Sequence, residues 1–431
     1  MPTEPWSPQA PSESRDAYWD VHLGAVSLAA LGVAILLSCT TRLNVGLIAI
    51  AFSWLIGVYL GGMPVKAIAA GFPSDLFLTL AGVTLLFTQA QVNGTLDRVA
   101  HAAVRMCRGN AGLACVSIFL LAAGLASVGP GNIATAALLA PMAMSTASRM
   151  KIPAFLMAIV AGNGANAGSL SPFAPTGIIV SGLMTRIGLG GHEARTFVDN
   201  LVAHAVMAAG GFLLFGGWRL FGQRGEAPAE EEDSRFEPKH WITIGVIATL
   251  ILSVLLLRVH VGMAAFAGAV ILSLARIADD AEALRRMPWG TIVMVSGVTI
   301  LIALLEKTAG LDLFTSFVAR YATTATIAPL ISFVTGIISV YSSTSGVVLP
   351  AFLPTIPGLI EKLGGGDPAS IASAMNIGGH LVDVSPLSTI GALCVASVAD
   401  VEESRRLFNR LLGWGLSMTV AGAVYAWLVF A

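Results

Sequence analysis

The sequence predicts an all-α, polytopic membrane protein that consists of two repeats. Hydrophobic residues make up 55% of its 431 residues and charged residues only 11%, and the mean hydropathy is +0.80. Soluble domains of ordinary composition carry about 25% charged residues. The segment Gly82-Val83-Thr84 recurs half a chain later as Gly297-Val298-Thr299. An apolar chain with such internal repeats is typical of secondary transporters.

Composition also narrows the classes of function. The formal net charge is −1 and no basic cluster occurs, so no nucleic-acid partner is expected. Residues 1–21 form a polar tail without the pattern of a cleavable signal peptide, so insertion should rely on the first span. The cysteines lack the spacing of a metal or redox motif and are interpreted as packing residues. They are Cys39, Cys107, Cys115 and Cys394.

Apolar runs define the spans in order, since a helix needs roughly 17 to 25 residues to cross a bilayer. In the first half they cover 22–39, 44–62, 74–92, 154–187 and 198–220, and a hydrophilic link follows at 222–240. In the second half they cover 241–257, 260–277, 289–306, 370–399 and 408–430. The fourth run of each half is interrupted by polar residues, at Ser171-Pro172 and at Ser385-Pro386.

Each half carries one further apolar stretch, at 112–148 and at 325–361, broken near its centre by small and polar residues. The breaks contain Gly131-Asn132 and Ser343-Thr344. Each stretch could be two crossings or a re-entrant hairpin. Short arms favour the hairpin, because irregular backbone at membrane depth survives only beside protein or a water-filled cavity. Five spans per half then place the second repeat in inverted orientation.

Positive charges fit this orientation, because Lys and Arg collect on the cytoplasmic side of a membrane. One face carries only eight of the 24 Lys and Arg residues. These eight are Arg15, Lys66, Arg186, Arg195, Arg258, Lys307, Arg320 and Lys362. The opposite face and the link 222–240 are therefore expected in the cytoplasm, with both termini outside a bacterial inner membrane.

The interrupted helices and the hairpin tips predict a binding site. A small anion in hydrocarbon needs substitutes for its water shell, and N–H groups at helix starts supply them. Glycine and proline keep the helices open, while Asn, Ser and Thr offer donors and acceptors. The candidate substrate ligands are Asn132, Thr135, Asn163, Ser171, Ser343, Thr344, Ser385 and Thr389. The candidate cation ligands are Asn132, Asn166, Ser343 and Asp383.

Other interpretations of these residues stay open. Small and hydroxylated residues also permit close helix packing without any ligand. Asp383 could bind a coupling cation, relay a proton or pair with His380, and an ionisable residue in a span is a functional candidate by default. His204 is expected to be a hydrogen-bonded packing residue. His380 and Asp383 lack further ligands at metal-site spacing, so neither a metal nor another cofactor is expected.

Three segments resemble the malonate and dicarboxylate carriers of the MatC type, in the ion transporter superfamily. They are Ala70 to Leu80, Gln91 to Asp97, and Gly379 to Thr389. The related divalent anion/sodium symporters carry Ser-Asn-Thr at their hairpin tips, where Asn132 matches the Asn. The resemblance implies a homodimer of the elevator type, in which hairpins and broken helices move against a static scaffold. It also implies coupling to Na⁺ or H⁺.

The expected domains follow from the repeats and from this resemblance. A polar tail (1–21) precedes the first repeat (22–221), and a cytoplasmic linker (222–240) precedes the second (241–431). Scaffold helices occupy 22–111 and 241–324, while a hairpin and a broken helix occupy 112–221 and 325–431.

The expected function is secondary active transport of a small dicarboxylate, malonate or a C4 acid, across the lipid bilayer. Na⁺ or H⁺ would be the coupling ion, and no enzymatic activity is expected. Two alternatives are a cation/proton antiporter or metalloid efflux carrier, and the membrane subunit of a binding-protein-dependent carrier. A membrane hydrolase that uses His380 and Asp383 is an alternative from a different class.

Overall fold

The computed structural model describes residues 13–41, 43–105, 110–223 and 236–431, and these residues are almost entirely helical. The first twelve residues of the predicted tail, Cys107 and most of the predicted linker lie outside the described residues. The first helix begins at Glu13, inside the segment predicted as a polar tail.

The described residues of the first half form ten α-helices. They are α1 (Glu13–Thr40), α2 (Val45–Trp54), α3 (Val65–Ala69), α4 (Ser74–Val92), α5 (Thr95–Arg105), α6 (Ala111–Val128), α7 (Gly131–Arg149), α8 (Ala154–Ala167), α9 (Pro175–Arg186) and α10 (Glu193–Leu214). A π-helical segment, Leu55–Leu60, extends α2, and a 3-10 turn, Gly217–Gly222, follows α10.

The second half repeats this order of helices. Its helices are α11 (Pro238–Leu257), α12 (Val261–Leu274), α13 (Asp280–Arg286), α14 (Trp289–Lys307), α15 (Gly310–Ala319), α16 (Ile327–Tyr341), α17 (Leu349–Phe352), α18 (Ile356–Leu363), α19 (Pro368–Leu381), α20 (Thr389–Ala396) and α21 (Val401–Phe430). The π-helical segment Thr344–Val348, α17 and α18 together stand where the first half has α7.

Eight helical stretches of the described residues are long and apolar enough to cross a bilayer, so this is a multi-pass membrane protein. They are α4, α6, α10, α11, α14, Thr344–Leu363, Pro368–Ala396 and α21. Shorter apolar helices occupy the spans predicted at 22–39, 44–62 and 260–277.

Two helix pairs pack closely, α4 with α12 and α14 with α2, and we call these four the central helices. The repeated glycines explain how close these helices come. A Cβ on Gly82 would lie 2.3 Å from the carbonyl oxygen of Gly262, and a Cβ on Gly297 would lie 2.2 Å from that of Gly46. Only glycine allows this approach. The repeated Gly-Val-Thr segment therefore provides helix packing in the same way in both halves.

Helices α4 and α14 run in opposite directions. At one end, His260 Nε2 lies 2.7 Å from Asp75 Oδ1, which joins the starts of α12 and α4. At the other end, Gln89 of α4 donates a hydrogen bond to Asp280 of α13 at 3.0 Å. Helix α14 follows α13 directly. It therefore starts at the end where α4 stops.

The hairpin arms and the interrupted helices also pack on one another, and we call this group of helices the second body. Helix α6 packs on α8 and α16 packs on α19, while α10 and α21 pack against α8 and α19. Corresponding glycines again permit the contact. A Cβ on Gly164 would lie 2.7 Å from Phe119 O, and one on Gly378 would lie 2.2 Å from Ser332 O. This packing brings the broken ends of α8 and α19 beside the two hairpin tips.

Candidate functional site

Glycines shape the first hairpin tip, between α6 and α7. Gly129 has φ 155° and Gly131 has φ 75°, conformations that favour glycine. A Cβ on Gly129 would lie 1.9 Å from the ring of Phe87 on α4, so the tip approaches this central helix closely. Asn132 follows in the first turn of α7 and is 8% exposed. Its amide donates to Asn166 Oδ1 at 2.8 Å.

Both predicted helix interruptions are present. Helix α8 ends at Ala167 and α9 begins at Pro175, and α19 ends at Leu381 while α20 begins at Thr389. The two broken ends are in contact, because the amide of Asn166 donates to the backbone oxygen of His380 at 3.1 Å. The first tip, the end of α8 and the end of α19 are therefore linked by consecutive hydrogen bonds.

The second hairpin tip makes the corresponding contact with α19. Ser343 caps the π-helical segment and accepts from Gly346 N at 3.1 Å. The hydroxyl of Thr344 donates to Asp383 Oδ1 at 2.9 Å, and it also lies 3.2 Å from Gly379 O. Ser388 donates to the backbone oxygen of Asp383 at 2.6 Å. A carboxylate, a hydroxyl and backbone carbonyls thus converge at this tip.

Several predicted ligands are instead engaged inside the fold. Asn163 donates to Ile159 O and contacts His204. Ser171 donates to Ser127 O, and Ser385 accepts from Leu387 N. These bonds stabilise the turns around the helix breaks.

Thr135 and Thr389 join neither tip contact. Thr135 is buried and its hydroxyl has no hydrogen-bond partner, while Thr389 is exposed at the start of α20. The suggested pairing of His380 with Asp383 is wrong. His380 Nδ1 bonds to Asn376 O, and its Nε2 has no partner.

A cavity of about 280 Å³ opens beside the first tip. Gly131 and Asn132 of the tip line one wall, together with Pro175 and Thr176 at the start of α9. Ser345 of the second tip also lines the cavity, as do residues of α4 and of the segment from α13 into α14 that were not predicted. They are Thr84, Phe87, Thr88, Gln91, Arg286, Pro288 and Thr291.

Arg286 supplies positive charge to this cavity. Its Nε donates to Glu282 Oε1 at 2.6 Å, which holds the side chain on α13. Helix α13 is anchored through Asp280, whose carboxylate accepts from Ser273 at 2.5 Å and from Gln89 at 3.0 Å. The basic Arg285-Arg286 pair was visible in the sequence, but no sequence pattern related it to the hairpin tip.

The described residues contain no group of three or more His, Cys, Asp and Glu that could hold a metal ion. Within those residues, Cys115 and Cys394 are both buried, and Cys394 is a free cysteine. The side chains at the two tips offer hydrogen bonds and charge, which suit the binding of a small polar ligand.

Known proteins share both sequence and fold with this chain. Residues 21–169 match a family model described as the N-terminus of the dicarboxylate carrier protein MatC, which confirms the resemblance over that region. Two proteins named as uncharacterized transporters, from Mycobacterium bovis and Mycobacterium tuberculosis, are each 24% identical over 381 residues. The alignment covers 83% of this chain and 86% of each relative. This chain is a membrane transporter.

The crystal structure of the YdaH transporter of Alcanivorax borkumensis, described as having an unusual topology, resembles this transporter with a TM-score of 0.58. The match covers 84% of this chain and 86% of that one at 14% sequence identity, so it shows a shared fold alone. The similar proteins are transporters, and the hydrolase alternative based on His380 and Asp383 is set aside.

Proposed function

We propose that this protein is a secondary active transporter of small dicarboxylates, malonate or a C4 acid, coupled to Na⁺ or H⁺. The observation that carries the proposal is the cavity that the Asn132 tip, the start of α9 and Arg286 line together. The match of residues 21–169 to a dicarboxylate carrier model supports the substrate class.

The cavity suits a small anion in both size and charge. Its volume of about 280 Å³ corresponds to roughly nine water molecules, enough for a short dicarboxylate and some of its hydration. Gly131 and Pro175, which begin α7 and α9, both line it. Helix starts carry partial positive charge, so two of them favour a carboxylate here, and Pro175 itself has no N–H to donate. Arg286, which is more than half exposed and forms an ion pair with Glu282, adds a guanidinium group to the lining.

The second tip suits the coupling cation. Asp383 supplies a carboxylate, Thr344 a hydroxyl and Gly379 a backbone carbonyl within one hydrogen-bonded group. Hard cations take oxygen ligands of these kinds. Substrate and cation would then lie close together, because Ser345 of the second tip also lines the cavity, and binding of one can influence the other.

Alternating access by an elevator motion between inverted repeats is part of the same proposal. The opposite directions of α4 and α14 support the inversion. The second body, with its hairpins and broken helices, would move against the central helices. A cleft of about 700 Å³ at the far end of α4, lined by Asp75, Pro172, Arg186 and His260, offers water access from the other face. Irregular helix breaks at membrane depth require such access.

Assembly and orientation rest on the sequence. The resemblance to MatC-type carriers supports a homodimer, and the distribution of Lys and Arg supports a bacterial inner membrane with both termini outside.

Uptake into proteoliposomes tests the proposal. Purified protein would be given radiolabelled C3 to C5 dicarboxylates under an inward Na⁺ gradient, an inward H⁺ gradient or neither. We expect gradient-driven accumulation of at least one acid by the chain alone. No uptake under any gradient, together with currents evoked by Na⁺ or pH jumps without an organic acid, would instead support the cation/proton antiporter.

A further inference from the structure

Four buried polar side chains lie in the second body between α10 and α19, apart from both tip contacts. They are Asn200 and His204 on α10, and Asn376 and His380 on α19, and each is 0% exposed. Within each helix the two residues are four positions apart, so they share one face. An amide and an imidazole on each of two helices form a polar layer inside an apolar bundle.

The register of the two helices brings these side chains to the same level. Near the helix starts, Arg195 donates to Ser370 at 2.9 Å, and one turn later Ser373 donates to Asp199 at 2.6 Å. The helices are therefore parallel, and Asn200 and Asn376 follow the second contact within one turn, with His204 and His380 four positions further along each helix. The two imidazoles are close enough to interact electrostatically.

Existing hydrogen bonds use the donors of this layer. The amide of Asn200 donates to Asn166 O, and the amide of Asn376 donates to Ala372 O, both at 2.8 Å. His380 Nδ1 lies 2.8 Å from Asn376 O. It must donate there, because a carbonyl only accepts.

The same reasoning fixes the hydrogen on His204. Its Nδ1 lies 2.9 Å from Asn163 Oδ1. Asn163 uses its amide to donate to Ile159 O, so its oxygen accepts from the imidazole.

The unused atoms of the layer are all acceptors. Asn200 Oδ1, His204 Nε2, Asn376 Oδ1 and His380 Nε2 are buried and have no hydrogen-bond partner. With both imidazoles neutral, these four buried acceptors stay without a donor, and the second N–H of Asn376 bonds to none of them. Leaving one buried acceptor unpaired costs about 1–3 kcal/mol. A positively charged donor would satisfy several of them at once.

Neighbouring elements supply no bonded counter-charge to the imidazoles. Helix α8 presents the amides of Asn163 and Asn166, and α21 presents Trp414, whose ring packs near Phe155 and Phe215. The carboxylates of Asp199 and Asp383 are engaged by Ser373 and Thr344, while Arg195 pairs with Asp367. On α16, Ser332 faces the α21 side near Gly422, and Tyr425 of α21 lies near Asp199.

We propose that His204 and His380 together bind one proton, which makes this layer a proton site separate from the Asp383 tip. A proton taken from water makes one imidazole cationic, and its new Nε2–H donates to the facing nitrogen or amide oxygen. Release returns the proton to water. Na⁺ is less suited, because hard cations prefer oxygen ligands and two of the four acceptors are nitrogens.

Asn166 connects this proton site to the substrate tip. Its backbone oxygen holds Asn200, its amide holds the backbone of His380, and its side-chain oxygen accepts from Asn132. A change of charge in the layer therefore reaches the tip through two hydrogen bonds. This coupling role rests on the proposed function, whereas proton binding itself does not.

Nitrogen-15 NMR of histidine-labelled protein tests the site without substrate. We expect one imidazolium signal shared by two buried histidines, lost in both His204→Gln and His380→Gln. The matched control is His260→Gln, which removes a histidine that lies against Asp75, away from the layer. The proposal is overturned if both histidines stay neutral throughout the pH range in which the wild-type protein is folded. This measurement uses the wild-type protein, so it holds even if a variant fails to fold.

A second measurement separates this site from the proposed function. Dicarboxylate addition to weakly buffered wild-type protein should take up or release about one proton per substrate, and both layer variants should lose this change while Na⁺ dependence persists. Absence of dicarboxylate binding with a shared imidazolium present would reject the substrate class and keep the site. Unchanged proton exchange in both variants would reject the coupling role.

Discussion

The substitution Thr344→Val isolates the contact between the second hairpin tip and the broken helix α19. Valine keeps the shape of the side chain but removes the hydroxyl that donates to Asp383 Oδ1 at 2.9 Å. Thr344 is only 3% exposed, so water cannot easily replace this donor. Hydrogen bonds to charged groups contribute about 1.5–3 kcal/mol, which corresponds to roughly a 10- to 100-fold change in an equilibrium constant.

We expect the apparent affinity for the coupling cation to fall by roughly this factor. It is measured from the uptake rate against cation concentration at saturating substrate in proteoliposomes. Thr355→Val is the matched control, because Thr355 is buried in the same hairpin and donates only to Phe352 O at 2.6 Å. Equal effects of the two substitutions, or an unchanged cation dependence in Thr344→Val, would refute the assignment of the cation to this tip.

Three further predictions concern charge, pH and packing. Arg286→Gln should raise the substrate KM several-fold, and the increase should be larger at low salt. Arg285→Gln is the control: it also removes a partner of Glu282 but lies outside the cavity lining, so KM should not change. Burial disfavours ionised Asp367, but hydrogen bonds from Ser370 and Arg195 outweigh it and lower the pKa of this carboxyl. The stability that ionised Asp367 contributes is therefore complete above about pH 4 and is lost as pH falls through the lowered pKa. Asp367→Asn should make the melting temperature depend less on pH in this acid range. Gly82→Ala should destabilise by about 1–3 kcal/mol through overpacking, whereas Gly32→Ala, which meets nothing within 4 Å, should not.

Local chemistry made the helix breaks predictable. Gly168 ends α8 and Pro175 starts α9, and the polar residues after Leu381 end α19. The glycine-rich first tip also followed from its residues, because Gly129 and Gly131 permit a turn that other residues resist. These features depend on neighbours in the chain, which a single sequence displays.

Contacts across the fold were not predictable in the same way. Asn163 and Asn166 look equivalent in the sequence, yet one faces His204 and the other reaches the tip. The two residues lie on different faces of α8, and the sequence alone does not show which face of α8 packs on α10. Arg286 joins the cavity only because α13 is anchored to α4, a contact between residues far apart in the chain.

A cryo-electron microscopy structure of the protein with malonate or a C4 dicarboxylate would show where the substrate binds. We expect ligand density between the Asn132 tip, the start of α9 and Arg286, with α8 and α19 broken where they meet. Density only at another location, or continuous helices through residues 162–177 and 378–391, would contradict this expectation.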